Sequence, residues 1–114
     1  MKVKLTPEAI NDIAEIKSYI REEFGNSIAA NRAAINIAKS YKQLKAMPYM
    51  GVALRSKVNI DTPYRLIVSG NYLVFYEVNK NDNLIDVIRI IHSKRNYTKI
   101  LFPNYDNEDD DADG

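Results

Sequence analysis

The spacing of apolar residues changes period once, at Met47-Pro48, and that change bounds the fold more tightly than any other feature of the chain. Before it, Ile10, Ile13, Ile16, Ile20 and Phe24 recur three or four positions apart, which places them in one stripe along a helix. Thr6 is positioned to cap that helix, Pro7 has the backbone angle its first turn requires, and Glu8 suits the positive end of its dipole. Gly25-Asn26 ends it. Ser27 is expected to cap a second helix, in which Ile28, Ala34 or Ile35, Ala38, Tyr41 and Leu44 repeat the stripe until Met47-Pro48 stops it. Two amphipathic helices with so short a joint pack as an antiparallel hairpin.

After Pro48 the period becomes two. Tyr49 to Thr62 reads as a connecting segment. Tyr64 to Ser69 (YRLIVS) reads as a strand, Gly70-Asn71 as a tight turn, and Tyr72 to Val78 (YLVFYEV) as the antiparallel partner. Residues 79–83 (NKNDN) form a second turn by composition, and Leu84 to Ile91 (LIDVIRII) is the last strand of the meander. With Lys2 to Leu5 (KVKL) as a first short strand, the order is β-α-α-β-β-β, an α+β fold with a helical hairpin on an antiparallel sheet. Strict alternation in the last strand puts Ile85, Val87, Arg89 and Ile91 on one face and Leu84, Asp86, Ile88, Ile90 and His92 on the other. There is no internal repeat, glycine-rich phosphate loop or paired-carboxylate motif.

At 114 residues the chain holds one core, assigned to residues 1–102. It has no cysteine, which excludes disulfides, thiol catalysis and cysteine-ligated zinc, and its one histidine excludes a histidine-rich metal site. No cofactor is expected. No apolar run reaches about eighteen residues and MKVKLTPEAI lacks a signal-peptide core, so a cytoplasmic protein without a membrane segment is expected. The net charge of +1 conceals an asymmetry. Residues 103–114 carry Asp106, Glu108, Asp109, Asp110, Asp111 and Asp113 without a base, leaving nine acids against sixteen Lys and Arg in residues 1–102, a net of +7. Repulsion and the shortage of apolar residues predict a disordered tail. The basic body suits an anionic partner, and the tail raises the hypothesis of a segment that folds back and competes for the same face.

The residues able to do chemistry are few. Arg65 begins the YRLIVS strand and by itself reads as an edge arginine. His92, the only histidine, alternates with apolar neighbours and by itself reads as a half-buried sheet residue. Lys94 and Arg95 follow it, and Tyr97 precedes the apolar Ile100, Leu101 and Phe102. The meander sends the end of the last strand toward Gly70-Asn71, away from Arg65. Arg65 and Arg95 would then lie about 15–20 Å apart, a span that fits a nucleic acid strand better than a small-molecule pocket.

Several stretches together resemble the RelE/ParE superfamily, toxins of bacterial type II toxin–antitoxin modules. They are VKLTPEAINDIAEIKSYI, the Met47-Pro48-Tyr49-Met50-Gly51 bend, Pro63-Tyr64-Arg65-Leu66 leading into Tyr72–Val78, and VIRIIHSKRNYTKILF, and they span nearly all of residues 2–102. The resemblance implies a growth-inhibiting toxin neutralised by a cognate antitoxin in a hetero-oligomer. Its target would be translation, through metal-independent, ribosome-dependent mRNA cleavage, or DNA gyrase, through non-catalytic poisoning; a degenerate toxin that only binds antitoxin is the remaining reading. For the nuclease, the ribose 2′-OH attacks its neighbouring phosphate, which demands cations and groups that move two protons. The resemblance assigns Arg65 and Arg95 to that set, with His92 and Tyr97 as companions, and Arg55, Lys57 and Lys94 to nucleic-acid or target binding. The nuclease branch's C-terminal tyrosine has no clean match, since Tyr97 comes early. His92-Ser93-Lys94-Arg95-Asn96 looks like the ending of the gyrase branch.

Overall fold

The computed structural model describes residues 1–105; the acidic residues 106–114, on which most of the expected disorder falls, lie outside the described residues. The elements are β1 (Lys2–Leu5), α1 (Pro7–Phe24), α2 (Ser27–Lys42), β2 (Val52–Ala53), β3 (Arg65–Ser69), β4 (Tyr72–Asn79), β5 (Leu84–His92) and α3 (Tyr97–Leu101), with one-turn 3-10 helices at Gln43–Lys45 and Leu54–Ser56. The β-α-α-β-β-β order holds, with two additions. The connecting segment contributes the short strand β2, and α3 closes the described chain. The strands form one sheet in the order β1-β5-β4-β3-β2. All neighbours are antiparallel except β1 and β5, which run parallel with Lys2 opposite Leu84 and Leu5 opposite Val87.

The helix boundaries follow from local chemistry. The Thr6 hydroxyl accepts from the Ala9 N–H at 3.1 Å, and Gly25 takes the left-handed conformation (φ 58°) that ends α1. α2 is capped one residue earlier than expected, by Asn26, whose Oδ1 accepts from Ala29 N–H at 3.0 Å. The apolar stripes are narrower than their spacing suggests. Ile10, Phe24, Ile28 and Ile35 are exposed, whereas Ala9, Ala30 and Ile37 are buried. Small residues at the hairpin contact let the helices approach the sheet and each other, and the larger side chains at the stripe edges are left outside.

The sheet is covered on both faces. Under the helical hairpin, Ala9, Ile37, Leu44, Ile67, Val74, Tyr76, Ile85, Val87 and Ile90 form the main core. On the second face, Leu54, Leu66, Phe75 and Ile91 form a smaller core, covered by Val58 and Tyr64 from the connector and by Tyr97, Ile100, Leu101 and Phe102 from α3 and its flank. Strict alternation in β5 is broken at Ile88. Tyr76 pairs with Val87 and Phe75 with Arg89, so Ile88 is an extra, bulged residue. In consequence Ile85 and Val87 share the helical face with Ile90, while Ile91 faces the second core.

Candidate functional site

The bulge is where the sheet edge passes from a strand to a side chain. β1 pairs with β5 only as far as Val87, so the backbone groups of the next residues on that side lack a strand partner. Three contacts from the start of α1 fill the gap. Thr6 N–H donates to Val87 C=O at 3.0 Å, the Thr6 hydroxyl donates to Ile88 C=O at 2.8 Å, and Asp12 Oδ2 accepts from Ile90 N–H at 2.9 Å. Asp12 is buried and also receives both forks of Arg89, Nε at 2.7 Å and Nη2 at 2.9 Å. It is the one ion pair among the described residues. The Asp12 hydrogen bond also raises Arg89 above its ordinary pKa, keeping the guanidinium charged.

This latch sets the exit of β5, on which His92 is the last strand residue. Ser93 N–H donates to Asn71 C=O at 2.8 Å and Arg95 N–H donates to His92 C=O at 3.0 Å, so the turn after β5 is pinned against the β3–β4 turn. The His92 ring meets Tyr72 edge to face, centroids 5.4 Å apart. Its Nδ1 accepts from Lys94 N–H at 3.1 Å. A ring nitrogen that accepts carries no hydrogen, so Nε2 holds the one on the neutral ring and His92 presents a donor. His92, Lys94 and Arg95 line a groove of about 550 Å³ against α1, with Tyr19, Tyr72 and Ile16 as its apolar part and Asp12 and Glu15 at its acidic side. Burial first, and Tyr19 second, push the Tyr72 phenol above its ordinary pKa, so it too stands as a neutral donor. An adjoining groove of about 470 Å³ shares Tyr19, Tyr72 and His92 and continues to Phe24 and Gly70. Exposed Tyr19 and Phe24 meet edge to face across 6.1 Å.

The other candidates lie elsewhere. Arg65 pairs with Tyr76 at the far end of β3, and Ser69, four residues on, pairs with Tyr72, which in turn pairs with His92. Arg65 and His92 are therefore about 13 Å apart along the strands and about 10 Å across them. The Arg65 guanidinium is already engaged. Its Nη2 donates to Gly51 C=O at 2.7 Å and Tyr49 C=O at 3.1 Å, and the group lies 5.4 Å from the Tyr49 ring centroid. It fastens the bend after α2 to the sheet. Gly51 completes that fastening by donating its N–H to the buried Tyr76 hydroxyl at 2.9 Å.

Tyr97 is on the second face, its ring 5.2 Å from Phe75. With Lys57 it lines a third groove, of about 440 Å³, floored by Leu66, Val68 and Leu73. Arg55 and Lys57 are exposed on and beside the 3-10 turn that carries Leu54. The fold thus brings His92, Lys94 and Arg95 together, places Tyr97 with Lys57 and Arg55 on the opposite side of the sheet, and sets Arg65 at the far end. Asp12, Arg89, Tyr19 and Tyr72 were not singled out by sequence. Arg89, a lone cation amid the apolar residues of β5, was the available signal for a buried acidic partner. Among the described residues, no three His, Asp or Glu side chains cluster as metal ligands, and no helix is long and apolar enough to cross a membrane.

Three solved structures share this architecture. The chromosomal ParDE toxin–antitoxin system from P. aeruginosa contains a chain that superposes with a TM-score of 0.69 at 21% identity, covering 82% of this chain and 97% of that one. The isolated E. coli RelE toxin superposes at 0.54 and 14% identity, over 91% of this chain and 98% of that one. A chain of the intact E. coli RelBE toxin–antitoxin complex superposes at 0.52 and 16% identity, over 82% and 98%. At these identities the likeness is one of fold. Comparison with curated protein sequences yields no match. The sequence model of the ParE toxin of the type II toxin–antitoxin system parDE matches residues 3–97, from β1 to the start of α3, and the chain belongs to that family.

Proposed function

We propose that this protein is a cytoplasmic toxin that inhibits growth by acting on DNA gyrase without cleaving RNA, and that a cognate antitoxin neutralises it in a hetero-oligomer. The dispersal of the nuclease candidates carries this reading. Cleavage of a phosphodiester by its own 2′-OH needs a base, an acid and a phosphate clamp within a few ångströms of one another. Here Tyr97 and His92 belong to opposite sides of the sheet, and Arg65 spends its Nη2 on backbone carbonyls. His92 has its Nδ1 occupied by Lys94 N–H and its ring set edge to face on Tyr72. What remains is an aromatic-lined groove at the end of β5 with Lys94 and Arg95 on one side and Asp12 and Glu15 on the other, a feature suited to binding. Exposed Tyr19, Phe24 and Ile28 on the helical hairpin offer the apolar surface that an amphipathic antitoxin segment would cover.

Two assays on the purified chain test the target. Gyrase with supercoiled DNA should accumulate trapped double-strand breaks in its presence, and primer extension on translated mRNA should show no new codon-aligned 5′ ends. The converse pair of results overturns the proposal in favour of a ribosome-dependent nuclease. Lys94→Ala with Arg95→Ala, both exposed, should abolish growth inhibition while leaving the melting temperature within about 2 °C. For neutralisation, the product of the adjacent gene should co-purify with the toxin and restore growth; no association and no rescue would refute it.

A further inference from the structure

We propose that the free chain pairs with a second copy of itself through the outward face of the helical hairpin, α1 of each copy lying along α2 of the other. This does not depend on which target the toxin acts on. The hairpin is polarised by charge. α1 carries five acids against Lys17 and Arg21, whereas no acid occurs anywhere from Phe24 to Ile60, a stretch with six Lys and Arg. Asp12 is taken by Arg89, but Glu8, Glu15 and Glu22 are exposed and recur at heptad spacing, which aligns them as one ridge along α1. Arg32, Lys39 and Lys42 are exposed on α2, on the side away from the buried Ala30 and Ile37. None of these acids and cations is in an ion pair among the described residues, so each ridge is unpartnered within the chain. Among the cations stand Ile28 and Ile35, 71% and 54% exposed. A partner for α2 must then offer acids and apolar contact at helical spacing, and α1 is a helix of that chemistry.

Symmetry sets the register. The helices run antiparallel from the joint at Gly25-Asn26, so position n of α1 lies level with about position 51 − n of α2. A two-fold axis parallel to the helices keeps every residue at its own level while carrying α1 of one copy over α2 of the other. Lys42 of one copy then comes within about 2 Å of the level of Glu8 of the other. Lys39 and Arg32 fall about 4–5 Å along the axis from Glu15 and Glu22, offsets that long side chains span. Ile35 comes level with the gap between Ala14 and Ser18, small residues that admit it. α1 has 18 residues and is about 27 Å long, and two helices side by side are about 20 Å wide. The contact therefore covers about 500 Å² per copy, at the low end of specific interfaces, which makes a weak pair rather than a permanent dimer. Its exposed charges make it salt-sensitive. It also covers Ile28, part of the surface proposed above for the antitoxin, so pairing and neutralisation exclude each other.

The test is sedimentation velocity on the full-length chain from about 5 to about 200 µM. At about 50 mM salt the wild-type chain should pass from monomer to dimer mass with a midpoint of about 10–100 µM, and at about 500 mM salt the midpoint should rise about tenfold. Reversing the acids (Glu15→Lys with Glu22→Lys) or the cations (Arg32→Glu with Lys39→Glu) sets like charges face to face, so each variant alone should stay monomeric. Mixed in equal amounts, the two variants again face each other with opposite charges along both ridges and should pair within about threefold of the wild-type midpoint. All four positions are exposed, and circular dichroism checks that each variant is folded. Where reversal unfolds a chain, Glu15→Gln with Glu22→Gln replaces it and should raise the midpoint about tenfold. A wild-type chain that stays monomeric throughout, a reversed variant that pairs alone, or a mixture that does not pair overturns the proposal. A monomeric wild-type chain that instead binds single-stranded DNA of about 20 nucleotides, with binding lost on Arg32→Glu and Lys39→Glu, would give the α2 face to nucleic acid and refute self-pairing.

Discussion

Replacing Asp12 by alanine removes one carboxylate and three hydrogen bonds, and their energetics are separable. Asp12 is 6% exposed and accepts from Arg89 Nε (2.7 Å), Arg89 Nη2 (2.9 Å) and Ile90 N–H (2.9 Å). The Ile90 amide is buried, so losing its acceptor leaves an orphaned donor at about 1–3 kcal/mol. The Arg89 side chain is 25% exposed, so it can turn partly toward water, and its share is discounted to about 1–2 kcal/mol. The total is about 3 kcal/mol, a large fraction of the stability of a domain this size. At about 4–8 °C per kcal/mol it predicts a melting temperature lower by roughly 12–24 °C. Asp12→Asn keeps an oxygen for Ile90 N–H and loses the ion pair, so it should cost about half as much. Urea unfolding followed by circular dichroism measures both, and a double-mutant cycle with Arg89→Met should give a coupling of about 1–2 kcal/mol. A loss below 1 kcal/mol for Asp12→Ala, or strict additivity with Arg89→Met, would show that the latch at the sheet edge does not hold β5.

Gly51→Ala would set a Cβ 2.6 Å from Leu66 C=O and 2.7 Å from the Tyr76 hydroxyl, so the bend must move off the sheet. Urea unfolding should show about 2–3 kcal/mol lost, and an unchanged midpoint would contradict that packing. Arg65→Met removes the donor to Gly51 and Tyr49 carbonyls while retaining the aliphatic stem. It should lower stability by about 1–2 kcal/mol; loss of toxicity with an unchanged melting temperature would instead assign Arg65 a direct role at the target. Tyr64 is raised above its ordinary pKa of 10.0 by burial and then by Glu77, and Tyr72 by burial and then by Tyr19. A raised pKa stabilises the fold fully below the unfolded value and loses that contribution as pH climbs through the folded one. The melting temperature should thus hold up to about pH 10 and fall above it, with two phenols ionising late at 295 nm. Tyr64→Phe with Tyr72→Phe should remove the late phase.

The features legible in the sequence are those written in neighbouring residues. Thr6-Pro7-Glu8 and Gly25-Asn26 delimit α1 because caps act within one turn of the backbone, and Gly70-Asn71 joins β3 to β4 because a tight turn is a local conformation. The residues that carry the superfamily likeness were equally visible, since they lie in continuous stretches. Legibility fails where partners are far apart in the chain. The pairing of β1 with β5 and the Asp12–Arg89 latch join residues about eighty positions apart, the bulge at Ile88 exists only in the pairing of β5 with β4, and no periodicity records such contacts. The bulge overturned the face assignment in β5, because one extra residue inverts every side chain beyond it.

For the site, composition alone limits which side chains can take part: one histidine, no cysteine, and a basic body with an acidic extension. Tertiary structure decided how they are grouped. Sheet topology puts His92, Lys94 and Arg95 beside α1 and Tyr97 on the reverse side, and the bend at Gly51 draws the Arg65 guanidinium onto its carbonyls. The physical reason is that a sheet separates residues by face and by end, and strand pairing across the whole chain sets both.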